Sequence, residues 1–207
     1  GNAKYKLGDK NGAILDFTKA IEINTKYSKA YLYRGVAKAK LGDKNGAILD
    51  FTKAIEIDPK NFEPYFNRGL TKAKLEDHRG AVLDFTKAIE INTKYSEAYY
   101  YRGNAKYKLG DHRGAVLDFT KAIEINPTDS EAYYNRGLAK NNLEDYRGAI
   151  LDYTKAIEID PTEFKPYYNR GVAKYLLGDK NGGCLDLRKA GELGYEDAYD
   201  TIKEYCN

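Results

Sequence analysis

The stretch YNRGLAKNNLEDYRGAILDYTKAIEIDP, from Tyr134 to Pro161, has helical apolar spacing on both sides of a short break at 143–145. Nearly the same stretch occurs 34 residues earlier, and again 34 residues before that. A fixed period of this length is typical of repeat proteins, in which each repeat is one small supersecondary unit. The sequence therefore predicts a two-helix unit that is repeated several times along the chain.

A frame that starts at Ser28 gives five complete repeats, with the bounds 28–61, 62–95, 96–129, 130–163 and 164–197. Residues 1–27 correspond to positions 8–34 of an earlier, truncated repeat, and residues 198–207 follow as a C-terminal cap. One helix pair cannot bury its apolar side alone, so neighbouring pairs must stack. These ranges predict a single solenoid over residues 1–207.

Each repeat predicts a helix A, a turn and a helix B. An aspartate follows each turn and is expected to cap helix B, because its carboxylate can accept the first free backbone N–H groups. The six expected caps are Asp9, Asp43, Asp77, Asp111, Asp145 and Asp179. In helix B, residues 115, 119, 122 and 123 form an apolar stripe with helical spacing. Asn-Pro or Asp-Pro at 58–59, 126–127 and 160–161 is expected to end the helix, since proline disfavours helix in the preceding residue.

The period and these residues resemble the tetratricopeptide repeat over the whole chain. In one repeat the residues that match the family pattern are Tyr133, Gly137, Ala149, Tyr153, Ala156 and Pro161. The resemblance implies an all-α fold: a right-handed superhelical α-solenoid of stacked helix–turn–helix repeats with a C-terminal capping helix. It also implies a non-catalytic scaffold that binds a protein or extended peptide along a concave groove lined by helix A.

The groove positions implied by the family fall on four rows of helix A. The first row is Leu32, Phe66, Tyr100, Tyr134 and Tyr168, and the second is Val36, Leu70, Asn104, Leu138 and Val172. The third is Tyr5, Ala39, Ala73, Tyr107, Asn141 and Tyr175, and the fourth is Lys6, Lys40, Lys74, Lys108, Asn142 and Leu176. Exposed rings beside lysines suit a peptide with acidic side chains. We therefore predict a binding groove at Phe66, Tyr100, Tyr134, Tyr168, Asn104, Tyr107, Tyr175, Lys40, Lys74 and Lys108. Alternatively, these rings only pack between adjacent A helices.

The groove lacks the dicarboxylate clamp with which some members of this family bind chaperone C-termini. The clamp needs lysine and asparagine on successive turns of helix A, and those places hold Leu32 with Val36, Phe66 with Leu70, and Tyr100 with Asn104. The sequence therefore argues against a role as a chaperone cofactor.

Each repeat departs from the family pattern by one arginine and, four residues later, one lysine in helix A, and it carries one aspartate in helix B. The residues are Arg34, Arg68, Arg102, Arg136 and Arg170, with Asp16, Asp50, Asp84, Asp118, Asp152 and Asp186. We interpret them as a structural Arg–Asp ladder, because a catalytic pair would be needed once and not in every repeat. The spacing leaves open whether each aspartate pairs with the arginine of its own repeat or of the next.

A second surface is defined by one leucine per helix B on the side opposite the apolar stripe. The residues are Leu15, Leu49, Leu83, Leu117, Leu151 and Leu185. They favour an alternative function, self-association through a convex leucine ridge. A weaker alternative is stacking of sugars or single-stranded nucleic acid on the tyrosines and lysines.

Composition restricts the remaining possibilities. The net charge of +3 is too small to indicate a nucleic-acid-binding protein, and no apolar run approaches the ~18 residues of a membrane span. No catalytic, phosphate-binding or metal-binding motif is present, so no enzyme activity, cofactor or metal is predicted. Cys184 and Cys206 can form a disulfide if the cap covers the last helix B; otherwise Cys184 is a small buried apolar residue. The sequence does not predict the cellular compartment of the protein.

Overall fold

The computed structural model describes residues 1–206, which form thirteen α-helices and no β-strand. Helices α1–α13 span Asn2–Lys6, Lys10–Ile23, Ser28–Lys40, Lys44–Ile57, Phe62–Ala73, His78–Ile91, Ser96–Lys108, His112–Ile125, Ser130–Asn142, Tyr146–Ile159, Phe164–Leu176, Lys180–Glu192 and Asp197–Tyr205. We call the odd-numbered helices α3 to α11 the A helices and the even-numbered helices α2 to α12 the B helices. Within the described residues, no helix is both long and apolar enough to cross a membrane.

The chain divides into two compact units, Gly1–Ala105 and Lys106–Asn207, with the boundary inside α7. In the first unit, α2 to α6 pack each against the next, and α3 also contacts α5. In the second unit, α8 to α13 pack in the same order, and α9 contacts α11. The all-α prediction of stacked helix–turn–helix pairs is confirmed. One solenoid over the whole chain stays a prediction.

The B helices begin where the capping aspartates predict. Asp43 Oδ1, for example, accepts the backbone N–H of Gly46 at 2.8 Å. This bond satisfies one of the N–H groups that have no partner within the helix. The six caps are confirmed at Asp9, Asp43, Asp77, Asp111, Asp145 and Asp179.

The core between helix A and helix B is built from alanine and one large apolar side chain per repeat, which is an aromatic ring in every repeat except the last, where it is Leu187. Phe51 of α4 is 1% exposed, and its ring lies so close to α3 that a Cβ at Gly35 would be 2.7 Å from it. Glycine therefore lets the two helices approach each other around the ring. The predicted apolar stripe is also confirmed in α8, where Ala115, Phe119, Ala122 and Ile123 are buried.

The helix ends and the A–B turns have local causes. Helices α4, α8 and α10 end at Ile57, Ile125 and Ile159, directly before the Asp-Pro and Asn-Pro pairs, as predicted. The A–B turn requires one residue with positive φ, which is Gly42 (φ 93°) in one repeat and Glu144 (φ 61°) in another. A left-handed glutamate is strained, because its Cβ approaches the following carbonyl oxygen.

Candidate functional site

A buried ion pair joins helix A to helix B within a repeat. Arg34 of α3 donates from Nε to Asp50 Oδ2 at 2.9 Å and from Nη2 to Asp50 Oδ1 at 2.7 Å. Lys38 Nζ lies 2.9 Å from the same Oδ2 atom, and Asp50 is 4% exposed. The carboxylate is thus held by a bidentate arginine and a lysine. The same geometry recurs at Arg68–Asp84, Arg136–Asp152 and Arg170–Asp186.

The third guanidinium nitrogen connects each repeat to the preceding one. Arg34 Nη1 donates to Thr18 Oγ1 at 3.1 Å, and Arg136 Nη1 donates to Thr120 Oγ1 at 3.2 Å. In these repeats, each aspartate therefore pairs with the arginine of its own repeat, while the arginine bridges to the preceding B helix. The threonine was not predicted from the sequence, and the lysine was recognised only as a departure from the family pattern, although both recur with the 34-residue period. Such repeated, buried groups fit a structural role.

A pocket of ≈ 100 Å³ opens between the A helices α3 and α5 of the first unit. Its lining residues are Val36, Ala39, Lys40, Lys44, Phe51, Asn67, Leu70, Thr71 and Lys74. We call the four apolar lining residues the apolar floor and the three lysines the lysine rim; Asn67 and Thr71 are the polar residues between them. Lys44 Nζ donates to the Lys74 carbonyl oxygen at 3.1 Å. Within residues 1–206, none of the three ammonium groups forms an ion pair, so the rim is positive and available to an anion. Of the predicted groove residues, the structure brings together Lys40 and Lys74 here.

In the second unit, Tyr107 occupies the repeat position that Ala39 has in the first. Its hydroxyl accepts a hydrogen bond from Asn142 Nδ2 at 2.8 Å, and its ring centroid lies 5.0 Å from that of His112. Asn142 and His112 are the repeat equivalents of the pocket residues Lys74 and Lys44. The Tyr107 ring thus lies among residues whose equivalents in the first unit line the pocket. The neighbouring residue Lys108 is exposed.

The other predicted groove residues of α7 and α9 are half-buried. The Tyr134 hydroxyl accepts a hydrogen bond from Asn169 Nδ2 of the next A helix at 3.2 Å, and burial raises the pKa of the Tyr134 phenol. The Tyr100 ring meets that of Tyr101 edge to face, with centroids 5.1 Å apart. Asn104 is half-buried as well. These rings are therefore only partly exposed, because they contact neighbouring side chains, and a binding groove along them stays a prediction.

Phe66 is a correction to the predicted groove. It is 8% exposed, and its ring packs against Tyr95 at a centroid distance of 4.8 Å and against Phe85 at 5.8 Å. First-row positions of α3 and α5 point toward the B-helix ring, so Leu32 is buried too. In these two helices, side chains of the second to fourth rows, and not of the first, reach the pocket.

The aromatic residues of the last A helix are covered by the C-terminal part of the chain. The Tyr175 ring stacks on Tyr205 at 4.5 Å, and the Tyr168 ring meets Tyr195 edge to face at 4.9 Å. The predicted cap corresponds to α13, which packs on α12, and residue 207 lies outside the described residues. Cys206 follows α13 and is joined to Cys184 of α12 by a disulfide.

The leucines on the outer side of the B helices are strongly exposed. The exposed fractions are 64% for Leu15, 71% for Leu49, 69% for Leu83, 69% for Leu117, 72% for Leu151 and 64% for Leu185. Each one stands near a lysine and a glutamate of the same helix; Lys53 and Glu56, for instance, form an exposed ion pair of 2.8 Å. Each of these faces thus presents one exposed leucine per helix.

Comparison with solved structures shows the same fold in several proteins. MamA is 28% identical with a TM-score of 0.76, over 80% of this chain and 96% of its own. YrrB, described as a TPR protein with an unusual peptide-binding site, is 24% identical with a TM-score of 0.81, over 90% of this chain and 97% of its own. The C-terminal part of a TPR repeat-containing protein from Cytophaga hutchinsonii is 20% identical with a TM-score of 0.84, over 99% and 84% of the two chains. No curated protein matches the chain.

Sequence profiles of the tetratricopeptide repeat match most of the chain. One matches residues 28–61, 96–129 and 130–163, a second matches 51–82, and a third matches 1–27. Proteins built from this repeat are generally non-catalytic scaffolds, and the fold is consistent with protein–protein interaction or peptide binding. By the matched residues, the stacked helix pairs and the shared fold, the chain belongs to the tetratricopeptide repeat family.

Proposed function

We propose that this protein is a non-catalytic scaffold that binds an extended acidic peptide across the A helices of the first unit. One aliphatic side chain of the peptide enters the pocket between α3 and α5, and flanking carboxylates meet Lys40, Lys44 and Lys74. The observation that carries this proposal is the apolar floor beneath a rim of three lysines without carboxylate partners in the described chain.

The size of the pocket restricts the inserted group. A cavity of ~150 Å³ accommodates a benzene molecule, so a pocket of ≈ 100 Å³ suits a smaller, aliphatic group. Valine, isoleucine and leucine side chains are of this kind, whereas an aromatic ring needs more room. The buried faces of Val36, Ala39 and Leu70 provide the apolar contact.

The apolar and electrostatic contributions have different magnitudes. Burying one aliphatic side chain contributes about 1.5–3 kcal/mol, whereas an exposed ion pair contributes only about 0–1 kcal/mol. Three such pairs together contribute about 0–3 kcal/mol, so they equal the pocket only at their upper limit. The lysines select peptides by charge and speed the encounter, and this contribution falls as the salt concentration rises.

A random twelve-residue peptide display library, selected on the full chain, tests the proposal. We expect the selected peptides to carry aspartate or glutamate beside valine, isoleucine or leucine. Ala39→Tyr places a ring at the pocket, as Tyr107 does in the second unit, and is expected to weaken a selected peptide by about 10–100-fold, equivalent to 1.4–3 kcal/mol. Ala3→Tyr, at an exposed position of α1, is the matched control and should leave the affinity unchanged.

Two further comparisons use variants that reverse the charge of two pocket lysines or remove the tyrosine rings of the predicted groove. Lys40→Glu with Lys74→Glu should shift the selection toward basic peptides. If selected peptides instead keep full affinity for Ala39→Tyr and lose it with Tyr100→Ala and Tyr134→Ala, the ligand binds along the tyrosines and the pocket is not the site. Sugar or base stacking is not proposed, because Tyr107 and Tyr134 are half-buried and hydrogen-bonded.

Self-association through the outer faces of the B helices is a second candidate function. It is favoured by the high exposure of one leucine per B helix in each unit, although singly exposed leucines are ordinary on protein surfaces. Light scattering after size exclusion should then give a mass above 23.4 kDa at high concentration. Leu49→Glu with Leu83→Glu should restore the monomer mass, while a monomer mass of the unmodified chain at every concentration rejects this candidate.

A further inference from the structure

The C-terminal segment, residues 195–206, covers the aromatic side chains of the last A helix. Tyr205 stacks on Tyr175 with the ring planes 16° apart, and the Thr201 and Tyr168 hydroxyl oxygens are 3.3 Å apart. Tyr195 contacts both Tyr168 and Phe164, at centroid distances of 4.9 and 4.8 Å. This face of α11 is therefore occupied by the chain itself.

The segment has few anchors of its own. Helix α13 has nine residues, of which only Ala198 is buried. An isolated helix of fewer than about 12 residues is marginal in water, so α13 depends on its contacts with α11 and α12. Its far end is fixed by the disulfide from Cys206 to Cys184, which spans a sequence separation of 22 residues. Both cysteines are half-buried, so neither lies in the fully buried core.

We propose that the Cys184–Cys206 disulfide is a redox-operated latch that keeps α13 over the aromatic face of α11. A reductant of the dithiol class opens it: one thiolate attacks a sulfur of the disulfide, and the second thiolate displaces the mixed disulfide. The chain gains two electrons and two protons and ends with two thiols, while the reductant becomes a disulfide. The segment then detaches, and Tyr168 and Tyr175 face solvent.

The covering segment also indicates which partner the uncovered face suits. It carries Glu196, Asp197, Asp200 and Glu204 against a single Lys203, together with three tyrosines. On the face that this segment covers, Lys180 Nζ of α12 lies 5.7 Å from the centroid of the Tyr175 ring. A short acidic helix with aromatic residues thus fits the face by ring stacking and by charge. All these residues belong to the second unit, so the latch is independent of the pocket in the first unit.

Hydrogen exchange of the full chain, oxidised or treated with dithiothreitol and iodoacetamide, tests the latch. Loss of a cross-link across about 20 residues should increase the opening of α13, and thus its amide exchange, roughly 100-fold. Amides of α8 to α10 should keep their rates. Hydroxyl-radical footprinting should show increased labelling of Tyr168 and Tyr175 in the reduced chain, with Tyr107 as an unchanged internal reference.

Variants of the cysteines and of Tyr205 distinguish local release of α13 from a general loss of stability when the cross-link is removed. Cys184→Ser with Cys206→Ser should reproduce the reduced state without any reductant, and iodoacetamide alone should have no effect. Tyr205→Ala keeps the disulfide but removes the ring from Tyr175, so it should raise footprinting at Tyr175 and leave Cys184 and Cys206 unalkylated. The proposal is overturned if reduction leaves the exchange of α13 unchanged, or if it accelerates exchange throughout the second unit to the same degree.

Discussion

Ala39 and Tyr107 hold the same position of two repeats, 68 residues apart, yet the surfaces around them differ. Beside Ala39, the A helices of the first unit leave a pocket of ≈ 100 Å³. Beside Tyr107 in the second unit, the ring contacts His112 and its hydroxyl bonds to Asn142. The two junctions thus differ in the side chain at the third row of the groove, which is small in the first unit and aromatic in the second.

The rims of the two junctions differ in charge as well. Lys44 and Lys74 of the first unit are replaced by His112 and Asn142 in the second, whereas Lys40 and Lys108 are the same. The buried ion pairs beneath the two surfaces are alike, as the Arg34–Asp50 and Arg136–Asp152 distances show. A repeat scaffold can therefore keep its internal bonds and still offer a different surface in each unit.

The largest expected effect tests whether the two units share the same internal network. Asp50→Ala in the first unit and Asp152→Ala in the second each leave an arginine and a lysine without their carboxylate. We expect a loss of about 3–5 kcal/mol in the free energy of unfolding for each variant, measured by urea denaturation. Glu56→Ala, which removes only an exposed ion pair, is the control and should change stability by less than about 0.5 kcal/mol. Markedly unequal losses at Asp50 and Asp152 would show that the network differs between the units.

The period of the sequence was sufficient to predict the helices, the aspartate caps and the Asp-Pro stops. These features depend on local backbone chemistry, which the sequence shows directly. The site was harder to predict, because the direction of a groove side chain depends on its neighbours in three dimensions. Phe66 and Tyr134 are both first-row aromatics; Phe66 is in the core, whereas Tyr134 is hydrogen-bonded to the next A helix. No spacing argument distinguishes these cases, since the tertiary contacts decide them.

The next test of the difference between the two junctions introduces pocket residues of the first unit at the equivalent positions of the second. Tyr107→Ala, His112→Lys and Asn142→Lys together copy Ala39, Lys44 and Lys74 beside the existing Lys108. We expect the triple variant to bind a second equivalent of the selected peptide by isothermal titration calorimetry, more weakly than the first because Asn104 stands at the position of Val36. The control is Tyr107→Ala alone, which opens the junction without completing the lysine rim and should bind the second equivalent more weakly. A stoichiometry that stays at one in the triple variant would show that further residues build the site.

A buried hydroxyl distinguishes the ring of the repeat at 130–163 from those of the first unit. Tyr153 is 0% exposed, and among the described residues its hydroxyl has no hydrogen-bond partner, so burial raises the pKa of the phenol. Phe51 and Phe85 hold the equivalent places. We expect Tyr153→Phe to stabilise the chain by about 1 kcal/mol, because the unpaired polar group is removed, as measured by urea denaturation. The reverse change Phe51→Tyr should cost about 1–3 kcal/mol, and a destabilised Tyr153→Phe chain would mean that the hydroxyl is paired in solution.

The smallest effect concerns a feature that the two units have in common. Glu76 in the first unit and Glu144 in the second have φ of 64° and 61° at the place where Gly42 and Gly110 stand in other repeats. Glycine relieves the clash of the side chain in this conformation, but it also gives the unfolded chain more freedom, and the two effects partly cancel. Glu76→Gly and Glu144→Gly should therefore each stabilise the chain by only about 0.5–1 kcal/mol, as read from the urea midpoint at unchanged slope. Gly110→Ala is the matched opposite change and should destabilise the chain by a similar or greater amount. If Glu144→Gly destabilised the chain while Glu76→Gly stabilised it, the Glu144 side chain would have to make a favourable contact in the second unit that outweighs its backbone strain.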